Sequence, residues 1–236
     1  MSREIAKHSA MDFNLLMKFW QALRKVALPL FIITLIGTSL DQWITMKMES
    51  MLMAPQGTSP LVWLYGAFSL LLSLMYPLAS SLVALSGSTQ ESPLRFLKRF
   101  FEQSLIEQMR SWGSIMLWSF LLILPGLYRF LQLLFVPFVV CFDSIYQVGD
   151  RDALQTSRAL AKGQLLKLLV LFFLFSIFIP GVFTVFDEWK MIWKTPVSAL
   201  FICLLEMLVQ FCFIQILWRL FIRRMKHESS LSMERH

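Results

Sequence analysis

The sequence predicts an all-α protein that crosses a membrane about six times, and three observations predict it. Of its 236 residues, 57% are hydrophobic and 16% charged, where an ordinary soluble domain carries roughly 25% charged residues. The apolar residues fall in runs of about 20, the length that spans ~30 Å of hydrocarbon. Lys and Arg gather beside alternate runs, as cytoplasmic loops of membrane proteins require.

The chain opens on an amphipathic segment. Ser9 with Asp12 resembles a capping box, and Phe13, Leu16, Met17, Trp20 and Leu23 share one helical face behind it. The first apolar run covers 26–44. The segment before it is too long for the n-region of a cleaved signal peptide, so the run is expected to stay as an anchor, although Gly37-Thr38-Ser39 offers small residues for cleavage. The second run, 61–86, carries Gly66, Ser69, Ser73, Pro77, Ser80 and Ala84 at three- and four-residue spacing, which lets helices approach closely.

Ser92 as N-cap and Pro93 in the first turn predict an interfacial helix. Leu94, Leu97, Phe101 and Leu105 lie opposite Arg95, Lys98, Arg99 and Glu102. A third span, 105–124, is purely apolar only from Trp112, so Glu107 and Arg110 are expected to snorkel toward headgroups. A re-entrant hairpin over 112–142 is the alternative. Pro125-Gly126 marks a tight turn into a fourth span, 127–146, which Pro137 should kink. Asp150 is expected to cap a short helix through Ala153, Leu154, Ala159 and Leu160 that carries Arg151, Arg158 and Lys162 outward. The fifth span, 165–186, is interrupted late by Pro180-Gly181, and the sixth covers 196–222.

One basic amphipathic segment followed by two spans recurs three times, in units of roughly 9–86, 92–147 and 150–224 within a single membrane domain. Residues 225–236 are expected to form a flexible cytoplasmic tail. The words Leu124-Pro125-Gly126 and Ile179-Pro180-Gly181 align the second and third units. Internal repeats of this kind occur in many transporters, and also in simple duplications of a stable unit.

Orientation follows from the basic residues. With both termini inside, the inner side collects Arg3, Lys7, Lys18, Arg24 and Lys25, then Arg95, Lys98, Arg99 and Arg110, then Arg151, Arg158, Lys162 and Lys167, and finally Arg219, Arg223, Arg224, Lys226 and Arg235. The outer side holds Lys47, Arg129, Lys190 and Lys194. Trp43, Trp63, Trp189 and Trp193 then fall at the outer interface and Trp20 and Trp218 near the inner one, as aromatic belts do.

The net charge of +7 is spread beside apolar segments, so anionic lipid headgroups are the expected counterions and nucleic acid is not. Arg95, Lys98, Arg99, Arg151, Arg158 and Lys162 are the expected headgroup contacts. Cys141, Cys203 and Cys212 sit inside apolar runs without CxxC or His-paired spacing, so neither a metal nor a disulfide is expected. No cofactor is implied.

Pro125-Gly126, Arg129, Asp143, Ala153-Leu154, Ser157, Leu160 and Lys162-Gly163 resemble the pattern shared by the membrane domain attached to some bacterial glycerophosphoryl diester phosphodiesterases and by related small inner-membrane proteins. The similarity covers about a quarter of the chain. It implies a multi-pass protein of the bacterial cytoplasmic membrane with about six helices. The phosphodiesterase chemistry belongs to a separate soluble domain, so the resemblance implies no such activity here.

The costliest residue to bury is Glu206, inside the sixth span, with Cys203 and Gln210 on its helical face. A ligand or coupling site would be built on Glu206, Gln210, Arg129, Ser69 and Ser73; the alternative is an internal hydrogen-bonded clamp. Asp41 and Asp143 lie at span ends as solvated or capping groups. The histidines, His8, His227 and His236, lie in the terminal segments, and no HExxH or GxSxG motif or phosphate-binding glycine loop occurs. The expected function is therefore non-enzymatic: a membrane scaffold or accessory subunit working with a protein partner, a second copy of itself, or lipids. A small transporter or exporter built around Glu206 is the runner-up.

Overall fold

The computed structural model describes the backbone of residues 2–53, 60–185 and 194–233, and the side chains of 17–53, 60–185 and 194–226. Among the described residues every regular element is helical: α1 (Ser2–Leu52), α2 (Leu61–Ser86), α3 (Pro93–Leu121), α4 (Ile123–Leu133), α5 (Val136–Phe142), α6 (Ser144–Val148), α7 (Ala153–Ala161), α8 (Leu165–Phe172), a π-helical segment (Phe173–Phe178), α9 (Ile179–Thr184) and α10 (Pro196–Met233). Five stretches are long and apolar enough to cross a membrane: Met17–Leu52, Leu61–Ser86, Ile123–Phe142, Leu165–Thr184 and Pro196–Lys226. The third expected span is not among them, because α3 mixes Glu107, Arg110, Gln103, Gln108 and several serines into its apolar residues and is not apolar enough over the length of a crossing. The side chains of Ser9 and Asp12, Trp189, Lys190 and Trp193 lie outside the described residues.

α1 is one continuous helix through the amphipathic segment and the first span, about 75 Å long at 1.5 Å per residue. α10 likewise stays helical to Met233, into the segment expected as a flexible tail. Pro137 acts as expected. With no N–H to give, it stands in the first turn of a new helix, and the helix is interrupted between Leu133 and Val136.

Two local expectations are corrected. The turn between α3 and α4 falls at Leu122, which is fully extended (φ −164°, ψ 148°), and Pro125-Gly126 lies inside the first turn of α4. Proline is tolerated there because the first helical N–H groups have no intrahelical acceptor. Gly126 serves the crossing instead: a Cβ on it would collide with the Ser119 side chain and come within 2.9 Å of Ser119 Cα. The cap of α7 is Asp152, not Asp150; its carboxylate accepts from the Gln155 N–H at 3.1 Å. Ser92 precedes Pro93 in extended conformation but makes no side-chain cap bond, while Asp143 caps α6 through the Ile145 N–H.

The core is concentrated at one end of the bundle, where Val26 and Leu30 of α1, Leu82 and Leu85 of α2, Phe96 and Phe100 of α3, Val136 and Val139 of α5, Leu160 of α7 and Phe211 and Phe221 of α10 are buried together. Aromatic rings bind α5 to α10 there, with Phe142 and Trp218 centroids 4.2 Å apart. Several connections close that end. Lys25 Nζ donates to the Thr89 carbonyl at 2.6 Å, Gly87 rests on Ala22, and Gly163 (φ 86°) lies against the Arg224 guanidinium. In the small-residue stripe of α2 only Ser80 and Ala84 are buried.

α3 and α4–α5 form an antiparallel hairpin. Arg129 stacks over Trp118, Tyr146 reaches Glu107, and Phe142 packs on Phe96. Its tip is wholly apolar and exposed, from Phe120 (90%) through Ile123 (83%) to Leu124 (77%). Glu107 and Arg110 do not snorkel to solvent as a pair. Glu107 is buried, Arg110 holds both its oxygens at 2.8 and 2.9 Å, the Tyr146 hydroxyl donates to it at 3.1 Å, and Arg110 Nη2 reaches Asp152 at 3.0 Å. A carboxylate desolvated this far is stable only with such partners, and here they tie α3 to the start of α7.

α10 packs chiefly against α1 and α2, and touches its expected hairpin partner mainly along the π segment. Within α8 to α9 only Leu168 is buried. Lipid tails are as apolar as leucine, so a helix loses little by leaving such a surface open to a bilayer.

Candidate intramembrane site

Glu206 and Gln210, one turn apart on α10, line a cavity of about 370 Å³ between that helix, α1, α2 and the π segment. Gln210 Nε2 donates to the Tyr76 hydroxyl of α2 at 2.7 Å, and its amide oxygen is buried without a hydrogen-bond partner among the described residues. Glu206 lies close enough to Tyr76 and to Cys203 to act on both electrostatically, and Thr34 is within hydrogen-bonding reach of the same phenol. Gly37 makes this contact possible. A Cβ there would overlap the Tyr76 ring, so only glycine lets the ring lie on α1.

The opposite wall comes from the interrupted fifth span. Pro180 has no N–H for the carbonyl of Ser176 four residues back, and the helix widens to π geometry over Phe173–Phe178 just before it. Phe175 and Ser176 from this segment face the cavity, with Pro180 and Phe183 beside them. Helices widened in this way occur frequently at functional sites because the turn re-aims side chains and frees backbone carbonyls. Thr38 completes the polar lining, with its own hydroxyl returned to the Thr34 carbonyl at 2.9 Å.

The remaining expected site residues lie elsewhere. Ser73 donates to the Leu70 carbonyl at 2.8 Å and lines a separate cavity of about 220 Å³ with Gln108, Ser111 and Trp112. Ser69 is half-buried on α2 and does not line the Glu206 cavity. Arg129 donates to Gln132 Oε1 at 3.2 Å and stacks over Trp118, 4.9 Å from the ring. It also lies close enough to Arg158 of α7 for the two charges to act on one another. Arg158 itself is half-buried. Its Nε is buried without a described partner, and burial first, then the charge of Arg129, lowers its pKa against the opposing pull of Asp152. Arg95, Lys98, Arg99, Arg151 and Lys162 are exposed, Arg99 being paired with Glu91 at 2.9 Å.

Tyr76, Thr34 and Gly37 were missed. The helical spacing of Thr34 and Thr38 was a readable signal; a lone tyrosine in an apolar run was not. Among the described residues no group of three His, Cys, Asp or Glu side chains is placed to hold a metal, and the three cysteines are free. One carboxylate with an amide, a phenol and hydroxyls can bind a proton, a cation or a donor-rich small molecule, and contains no nucleophile–base pair.

The fold and the cavity define a helical protein with membrane-length helices and a polar site among them. No protein-family model, curated protein or solved structure matches the chain.

Proposed function

We propose that this is a non-enzymatic multi-pass protein of a bacterial inner membrane that receives a small cationic or donor-rich ligand at Glu206, as the binding step of transport. The observation that carries the reading is the cavity itself. It brings an intramembrane carboxylate, an amide with an unpartnered oxygen and a π-widened helix to one place. This reverses the ranking expected from sequence. The helix over 93–121 buries a different face from the expected one, Phe96, Phe100 and Ser104, and of the expected platform for a partner or lipid Leu97, Phe101 and Leu105 are half-buried against the chain's own core while Leu94 alone stays open. The accessory-subunit reading retains one supporting feature, the open apolar surface of α8 to α9.

Topology forms part of the proposal. The basic segments of α1 and α10 meet at one end of the bundle, so the number of full crossings is even. Because α3 and α4–α5 are two arms of one hairpin, they cross together or not at all. We place the hairpin tip inside the hydrocarbon, leaving α1, α2, α8–α9 and α10 to cross fully, with both termini cytoplasmic. The apolar tip supports this, as does the approach of Arg129 to Arg158. The residues that resemble the phosphodiesterase-associated membrane domain then belong to a packing unit: Ser157 Oγ donates to the Gln132 carbonyl at 2.8 Å, and Ala153 and Leu160 are fully buried.

The test is current across a solid-supported membrane carrying the full chain, challenged with jumps of organic and inorganic cations. A current present in the wild type and lost in Glu206→Gln, with the variant still folded, supports the proposal. Equal responses from both proteins refute it.

A further inference from the structure

We propose that the groove between α1 and α10, at the end of the bundle opposite the open tip of the hairpin, is a binding site for a phosphate-bearing anion with an apolar attachment. It is a cavity of about 580 Å³, within the range of small-ligand sites, roughly 300–1,000 Å³, and ample for a glycerophosphate headgroup. Lys18 and Lys25 of α1 and Arg219 and Arg223 of α10 line it, and among the described residues no Asp or Glu does. Lys18, Ala22 and Lys25 are spaced four and three residues apart, and Gln215, Arg219 and Arg223 four and four, so each helix turns one basic face into the same groove.

These cations are uncommitted. Among the described residues Lys18, Arg219 and Arg223 make no ion pair, and Lys25 uses one of its three N–H groups on the Thr89 carbonyl. Four like charges around one cavity repel each other, and an anion between them removes that cost while accepting several charge-assisted hydrogen bonds. The floor is apolar, from Phe19, Trp218 and Ile222, and the α2–α3 turn closes one side at Gly87 and Ser88. Such a mixture suits a phosphodiester that carries hydrocarbon better than a bare ion. The site also lies where α1 and α10 leave their apolar stretches, the depth of a headgroup. It is separate from the Glu206 cavity: Arg219 lies nine residues along α10 from Gln210, about 13 Å.

Native mass spectrometry and thermal unfolding of the full-length detergent-purified protein test this, with phosphatidylglycerol, phosphatidylcholine, glycerol phosphate and inorganic phosphate as probes. Phosphatidylglycerol should bind at one copy and stabilise the wild type, and phosphatidylcholine should not. Arg219→Gln with Arg223→Gln should weaken that binding roughly thirtyfold, from two basic groups near a membrane surface. Both side chains are exposed, so the fold should survive, and Arg219→Lys with Arg223→Lys should retain binding. Lys18→Gln, on the other wall, should weaken it independently. Stabilisation by glycerol phosphate or inorganic phosphate at matching affinity, lost in the same Gln variants, overturns the apolar attachment and assigns the groove a soluble anion instead. Binding of phosphatidylglycerol that is unchanged in all the Gln variants overturns the proposal.

Discussion

Placing Ile123→Arg at the tip of the α3–α4 hairpin separates the two possible topologies. From Arg110, the last charge of α3, to Leu122 is twelve residues, about 18 Å of helix, against ~30 Å of hydrocarbon. If Arg110 and Asp152 mark the headgroup level, the tip ends near the middle of the bilayer. An arginine there costs ~2.5–3.5 kcal/mol on insertion scales, and partial snorkelling reduces this to about 2 kcal/mol. Leu94→Arg is the control. It introduces the same charge beside Arg95, at a site of similar exposure in the protein alone, 71% against 83% for Ile123, and in headgroups or water it should cost under about 0.5 kcal/mol. Both variants are unfolded thermally in lipid nanodiscs, where a bilayer of fixed thickness is present. The placement predicts a clear loss for Ile123→Arg alone. Equal stability of the two variants would refute it and restore α3 and α4–α5 as a pair of complete crossings.

Two further outcomes follow from the packing. Arg110→Met leaves the Glu107 carboxylate buried with only Tyr146 to satisfy it and should destabilise by about 2 kcal/mol, short of the ~3–5 kcal/mol for a fully buried pair because Arg110 is half exposed; changing Glu107→Leu in the same chain should recover most of the loss in chemical denaturation followed by circular dichroism. Gly37→Val forces the Tyr76 ring off α1, so the Tyr76–Gln210 hydrogen bond should be lost and any cation-dependent stabilisation weakened; isothermal calorimetry with the same cations checks it.

The helical class and the positions of five apolar stretches, one of them displaced by four residues, were legible because hydropathy and span length are set by the bilayer, not by partners. Glu206 and Gln210 were legible for the same reason: a polar residue is conspicuous where its desolvation costs most. Their companions were not. Tyr76 reaches the site only because Gly37 admits its ring, a contact between residues far apart in sequence that no periodicity records. The turn at Leu122 was missed because Pro125-Gly126 carries the stronger local signal, yet proline fits equally well inside a first helical turn. Asp150 and Asp152 are both adequate caps, and the choice falls to Asp152 because Arg110 of α3 is there to meet it. The side on which Arg129 falls depends on whether the hairpin crosses, because a charge count assigns residues to sides by span number and the proposed hairpin that turns back would defeat that count.

The most direct test of the central claim is mass spectrometry of everything that remains with the full-length protein after purification in mild detergent, wild type beside Glu206→Gln. The account predicts a retained small molecule that is absent from the variant, with no stoichiometric protein partner. A partner protein held equally by both, and nothing lost with Glu206, would contradict it and make the accessory-subunit role the leading explanation.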